Sequence, residues 1–243
     1  MIVVTGLKAE ARIAAASGVS VFACGGNVGL QAHAIKKAVF SGAPAIVSFG
    51  IAGALNSHLT AGDWVVATGV MSGDRSIETD IEWSSRLMQR LPGAELGAIA
   101  TVAEPVLYPR NKRRLHRDTG AIAVDMESFQ AAALAEELGV PFAAVRVIAD
   151  PLNREIPPAA RLGLRADGTV AVAAVLRSLL GRPSQLPSLF RVSSDAVIAF
   201  RALFRGRRQL GPHFASVLRE TVLANEQANS AEPDRQRTEP LPA

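Results

Sequence analysis

An α/β fold is predicted, a three-layer αβα sandwich with a mixed central sheet and a helical extension toward the C-terminal end. Two observations predict it: short apolar runs alternate with longer segments of helical period, and several of the runs close on Gly or Asp. A third is that 49% of the 243 residues are apolar, enough for a sizeable core.

In chain order, residues 2–4, 19–22, 45–49, 64–67, 98–101, 121–124 and 142–148 read as buried strands. Residues 30–41, 81–91, 128–138 and 169–180 read as helices, with Gly139-Val140-Pro141 stopping one before the next strand. The tract Gly181-Arg182-Pro183-Ser184-Gln185-Leu186-Pro187 breaks helices and marks a boundary. The expected organisation is therefore one domain over 1–182, an extension over 183–224 and a disordered polar tail over 225–243. In the extension, Leu189, Val192, Ala196, Ala199, Phe200, Leu203 and Phe204 recur at helical spacing. Arg191, Ser194, Asp195, Arg201, Arg205 and Arg208 are expected on the opposite side.

Composition narrows the class. The single cysteine, Cys24, excludes an intrachain disulfide framework and points to a reducing compartment, with the cytoplasm as default. There is no basic-then-apolar leader pattern at Met1–Gly6 and no run of about 18 apolar residues, so neither secretion nor a membrane span is expected. Between Arg182 and Glu220, seven arginines stand against two acids, an excess of five that exceeds the +4 of the whole chain. The basicity belongs to the extension.

Where open α/β sheets end their strands, ligands collect. Asp125-Met126-Glu127 follows one strand and Asp150-Pro151 closes another, the proline keeping Asp150 out of helical geometry. Each segment also has a plain structural reading, as first-turn acids favoured by the helix dipole or as a turn residue.

Taken together, the segments resemble the purine nucleoside phosphorylase and nucleosidase superfamily. The likeness runs through Val3-Val4-Thr5-Gly6 with Glu10, the Gly25-Gly26-Asn27 loop, Ser48-Phe49-Gly50-Ile51-Ala52-Gly53-Ala54-Leu55, Gly62-Asp63-Trp64-Val65-Val66, Asp125-Met126-Glu127 and Arg146-Val147-Ile148-Ala149-Asp150. It spans about residues 1–182 in matching order. The resemblance implies a nucleoside phosphorylase-like fold and cleavage of a purine N-glycosidic bond. Asp150 would protonate the leaving base, Glu127 would hold the ribose hydroxyls and Met126 would pack on the sugar. Gly50-Ile51-Ala52-Gly53 reads as a turn that permits close backbone approach, and Gly50, Ala52, Gly53 and Val106 would stand beside the base, although Pro105-Val106-Leu107 departs from the nucleosidase pattern there.

The nucleophile separates two branches. Where nucleosidases carry the glutamate that activates water, this chain has Ala11, with Glu10 one residue earlier. Gly6, Arg12, Gly25, Gly26 and Asn27 instead resemble a phosphate pocket, since backbone N–H groups and a guanidinium suit an oxyanion. Arg75 and Arg146 are further candidates. Phosphorolysis is the preferred expectation, with inorganic phosphate as co-substrate and no metal or other cofactor. Hydrolysis in the manner of methylthioadenosine/adenosylhomocysteine or futalosine-type nucleosidases is the alternative.

The extension most resembles the hopanoid-associated phosphorylase branch, which implies a lipid-linked adenine nucleoside, adenosylhopane, as substrate. Residues 186–208 would then make a peripheral contact at the inner membrane surface, or else pack on the domain or on a second copy. A homo-oligomer is expected from the resemblance. A nucleic-acid-binding module is the rival from another class, suggested by Arg205-Gly206-Arg207-Arg208, but the tract lacks interleaved aromatic residues. A dinucleotide fingerprint is absent at Gly6, and His33, His58, His116 and His213 show no metal-ligand spacing.

Overall fold

The computed structural model describes residues 1–25, 27–157 and 186–216. Gly26, the helix expected over 169–180 and the tail from 225 lie outside them.

The elements in chain order are β1 (Ile2–Thr5), α1 (Lys8–Ala14), β2 (Ser20–Ala23), a 3-10 turn (Val28–Gln31), α2 (Ala32–Phe40), β3 (Ile46–Ala54), β4 (Trp64–Ser72) and β5 (Arg75–Glu78). There follow α3 (Ile81–Arg90), β6 (Glu95–Thr101), α4 (Pro109–Thr119), β7 (Ala123–Asp125), α5 (Ser128–Leu138), β8 (Phe142–Asp150) and α6 (Leu186–Gln209). Local chemistry sets several ends. Asp80 caps α3 by accepting the Trp83 N–H at 2.8 Å. Pro109 opens α4, and Gly120 and Gly139 close α4 and α5 with φ of 72° and 63°, a region that glycine enters at no steric cost.

The sheet is mixed, as expected. Its strands run β2-β1-β3-β7-β6-β4-β5, with β8 pairing both β3 and β4. Because β3 pairs β7 and β8, and β4 pairs β6 and β8, five strands close a circuit β3-β8-β4-β6-β7. The outer strands are β2 and β5, four residues each. Alternation along each strand feeds two cores. Ile2, Val4, Ile46, Val65, Ala144 and Ile148 pack toward α2 and α5. Val3, Val47, Phe49, Trp64, Val145 and Val147 pack with Ala14 of α1, Trp83 and Leu87 of α3, and α6.

Three elements escaped the sequence reading. Helix α1 was hidden by its brevity, and β5 by its charged ends. Helix α4 carries nine polar residues around a single leucine and so shows no apolar stripe. The Gly50-Ile51-Ala52-Gly53 turn is corrected: β3 continues through it to Ala54, with a register shift at Ala52/Gly53 that bends the strand without ending it.

Helix α6 packs on the domain, one of the expected alternatives: Ala199, Ala202 and Leu203 are buried against the sheet, and Leu210 and Phe214 seal the turn that follows. Two expectations about its faces are corrected. Asp195, expected on the charged outer side, is turned inward and 8% exposed, because Arg154 supplies its counter-charge at 2.6 Å. Phe204, expected on the packing side, is 56% exposed. The Arg205–Arg208 tract is divided, since Gly206 and Arg207 face inward. The Arg207 guanidinium donates to the Ala14 carbonyl at 3.0 Å and lies 4.2 Å over the Phe214 ring. Trp83 Nε1 donates to the Phe214 carbonyl at 2.6 Å.

Gly206 sets how closely α6 approaches the sheet. A Cβ there would stand 2.1 Å from Trp64 Cζ2, an impossible separation against a buried ring. Gly206→Ala is therefore expected to destabilise the chain by about 1–3 kcal/mol, through overpacking that outweighs the better helix propensity of alanine. Urea unfolding measures this, and an unchanged or raised midpoint would contradict it.

Candidate active site

The C-terminal ends of β1, β3, β7 and β8 converge on one cavity, where Gly6, Glu10, Ala52, Gly53, Met126, Glu127 and Asp150 all contribute to the wall. Val102, Pro105, Val106 and Ile156 supply an apolar side. Among the described residues no lysine or arginine lines it, and no three His, Cys, Asp or Glu side chains come together as a metal site.

Glu127 follows β7 and is buried at the start of α5. Its Oε2 accepts the Met126 N–H at 3.3 Å. A Cβ on residue 6 would stand 2.5 Å from Glu127 Oε1, so the carboxyl lies against bare backbone. Burial pushes this acid up to about 8; Asp125 and Glu10 push the same way and Arg146 opposes them. Cys24 lies nearby with its thiol pushed up to about 12 by burial and by the Glu127 charge.

Glu10 is equally enclosed. It accepts the Leu7 N–H at 2.7 Å, closing the first turn of α1, and the Ile51 N–H at 2.8 Å, tying α1 to β3. Gly50 is not at the cavity wall; it lies behind Glu10, where a Cβ would be 2.6 Å from Oε1. Burial raises the Glu10 pKa against these amides and Arg146.

Asp150 ends β8. Its Oδ2 lies 2.6 Å from Lys112 Nζ, while Oδ1 is buried without a hydrogen-bond partner. Its pKa is raised, by burial first, with Lys112 pulling it back down. No sequence signal marked Lys112, which sits in a basic helix that reads as solvated on every side.

The remaining candidates stand elsewhere. Arg146 is 1% exposed and fully engaged: Nε donates to Asp125 Oδ2 at 2.9 Å, NH2 to Ser48 and Ser128, and NH1 to a backbone carbonyl. Asp125 also accepts from Thr101 Oγ1 at 2.7 Å and from Ser128, so the pair is a structural clasp beneath the cavity. Arg75 lies on the surface against Glu136 and Phe129. Arg12 is exposed on α1 outside the cavity wall. The Gly25 N–H is bonded to the Gly6 carbonyl and the Asn27 N–H to that of Cys24, so neither amide is open to an anion.

Residues 10–180 match the family model of the phosphorylase superfamily. No curated protein matches the chain. Its fold is similar to that of the 5'-methylthioadenosine/S-adenosylhomocysteine nucleosidase of Helicobacter pylori, at a TM-score of 0.57 and 19% identity over 74% of this chain and 97% of that one. The futalosine hydrolase of the same organism gives 0.56 and 17% over 73% and 97%. The methylthioadenosine/adenosylhomocysteine nucleosidase of Colwellia psychrerythraea, solved with adenine, gives 0.58 and 16% over 74% and 93%. With more than half of its length matched in this way, the chain belongs to the phosphorylase superfamily.

Proposed function

We propose that the chain cleaves the N-glycosidic bond of an adenine nucleoside. The observation that carries this reading is that Glu127 and Asp150, from separate strand ends, share one cavity with an apolar wall. Breaking the bond leaves positive charge on the sugar and negative charge on the base, so catalysis requires a grip on one and a proton for the other. Asp150, raised by burial, keeps a proton for the leaving base. Glu127, once ionised, accepts from the ribose hydroxyls, while Met126 packs on the sugar and Ala52, Gly53 and Val106 flank the base. The nucleosidases of similar fold, one holding adenine, support adenine as that base.

Inorganic phosphate is the proposed nucleophile, received on the Gly6 side of the cavity, where the sequence resembles the phosphorylase branch. Water is the second reading. One observation favours it: Glu10 is a buried carboxyl in the wall next to Glu127, whereas the Gly25 and Asn27 amides are bonded within the chain.

The substrate is further proposed to be lipid-linked, namely adenosylhopane in hopanoid biosynthesis, with α6 docking on the membrane. Support comes from its outer face, where Phe190 is 72% exposed and Phe204 56%, with Val197 between them and Arg201 and Arg205 alongside. No helix among the described residues is long and apolar enough to cross a membrane.

Incubation with adenosine, methylthioadenosine and adenosylhopane, with and without phosphate, tests the reaction by chromatography. Adenine with ribose 1-phosphate or its lipid-linked analogue is expected. Release without phosphate selects water instead, and no adenine from any substrate overturns the reading. Asp150→Asn is expected to lower kcat by about 10²–10⁴-fold.

The Glu127 ionisation gives opposite signs for turnover and stability. kcat/KM is expected to climb as pH rises through about 8, where the carboxylate forms. Stability runs the other way: the folded chain retains a proton that the unfolded chain, with its ordinary value of 4.5, gives up. This contribution is full below about 4.5 and is lost as pH rises to about 8, on the order of 1 kcal/mol per pH unit. Urea melts of Glu127→Gln should lack that decline; parallel pH curves for the two chains would refute it.

Co-sedimentation with phosphatidylglycerol vesicles tests docking. Deleting α6 would strip the core, so Phe190→Ser/Phe204→Ser is the suitable variant. It is expected to lose most of the bound fraction, and partitioning equal to that of the unaltered chain would count against docking.

A further inference from the structure

Lys112 is a fully buried lysine on a helix whose arginines and aspartate are exposed. Its ammonium is enclosed by acceptors. Besides Asp150 Oδ2 at 2.6 Å, Nζ donates to the carbonyls of Pro151 at 2.9 Å, Arg154 at 3.3 Å and Asp150 itself at 3.5 Å. The three carbonyls only accept, and Asp150 Oδ2 accepts too while its proton stands on the unpartnered Oδ1, so the site suits a protonated amine with three N–H groups better than a neutral one. Burial lowers the Lys112 pKa and Asp150 opposes that shift, so the ammonium is best compensated once Asp150 is ionised; among the described residues no other acid pairs with it.

The same cage is anchored from outside. Arg154, whose carbonyl Lys112 engages, has its own Nε held by Asp195 of α6 at 2.6 Å. The charged groups facing Asp150 are thus Lys112 from α4, Arg154 from the following loop and Asp195 from α6, with Glu10 and Glu127 across the cavity. Lys112 and Arg154 favour the carboxylate, and Asp195 opposes it.

We propose that Lys112 is a positioning residue for the general acid: it fixes the Asp150 carboxyl at the cavity wall and compensates the charge that Asp150 acquires on protonating the leaving base. This rests on the cleavage reading above. As the C–N bond breaks, its electron pair passes to the base and the Asp150 proton follows to a base nitrogen. Asp150 is left as a carboxylate beside the Lys112 ammonium, and it regains its proton from water after the products leave. Burial alone would make Asp150 too weak an acid to release the proton readily; the ammonium strengthens it while leaving it a proton to give.

The test has two arms. The first needs no substrate: ¹³C NMR of aspartate carboxyls, with residue 150 assigned by Asp150→Asn, follows its titration in the full chain. Lys112→Gln is expected to move the Asp150 titration upward by about one pH unit or more, and Asp195→Asn to move it down. An unmoved titration in Lys112→Gln overturns the proposal whether or not the chain turns over any nucleoside. Should that variant not fold, Lys112→Arg, which keeps the charge, is expected to titrate as the unaltered chain does; a shift as large as that expected of the neutral variant would overturn the proposal.

The second arm measures adenine release. Lys112→Gln is expected to lower kcat about 10–100-fold with little change in KM, and to move the alkaline limb of the kcat profile upward. Lys112→Ala should recover part of its rate with added methylammonium. A lost rate with an unmoved limb and no amine rescue marks a purely structural lysine and overturns the proposal. Absence of turnover in the unaltered chain strikes the cleavage reading, separately from the titration result.

Discussion

The Asp125–Arg146 clasp is the contact on which the site depends. It joins the end of β7 to β8, and through Ser48, Ser128 and Thr101 it also gathers β3, α5 and β6. Four of the five strands in the closed circuit, all but β4, are tied together in this way. Both side chains are almost wholly buried, at 1% exposure each, so loss of either leaves an uncompensated charge in the interior, a defect worth about 3–5 kcal/mol. Glu127 is two residues from Asp125, and Asp150 four from Arg146. The clasp therefore fixes the spacing of the two acids, with Asp125 reaching the cavity wall and Arg146 behind it.

Above the clasp, the cavity holds more acid than base. Glu10, Glu127 and Asp150 are all pushed upward by burial. Each has a different source of relief: backbone amides for Glu10, the nearby Arg146 for Glu127, and Lys112 for Asp150. Three similar groups thus acquire different acidities from their surroundings, which is what a reaction needing both a proton donor and a carboxylate acceptor requires. Glycines at 6 and 50 make the crowding geometrically possible, because any side chain there would displace Glu127 or Glu10.

Much of this was legible in the sequence. Buried strands announce themselves as apolar runs, and the acids at 127 and 150 stand at strand ends followed by a helix and a proline. What escaped was of two kinds. Lys112 and Asp195 are charged residues in helices that read as solvated, and only the tertiary fold gives each an opposite charge to bury against. Arg146 was the reverse case: its place next to a site motif suggested an anion, yet a guanidinium inside a strand is available only if no carboxylate reaches it first, and Asp125 does. The strand through Gly50–Gly53 was read as a turn because glycine signals turns locally, while here it admits close approach by neighbouring side chains.

The perimeter of the sheet has its own consequence. Among the described residues the border strands of the sheet are β2 and β5, each four residues long, and Arg75 and Glu78 of β5 are exposed. Short, charged borders are poor templates for strand addition. Growth of the sheet from one copy of the chain to the next along these borders is thereby discouraged.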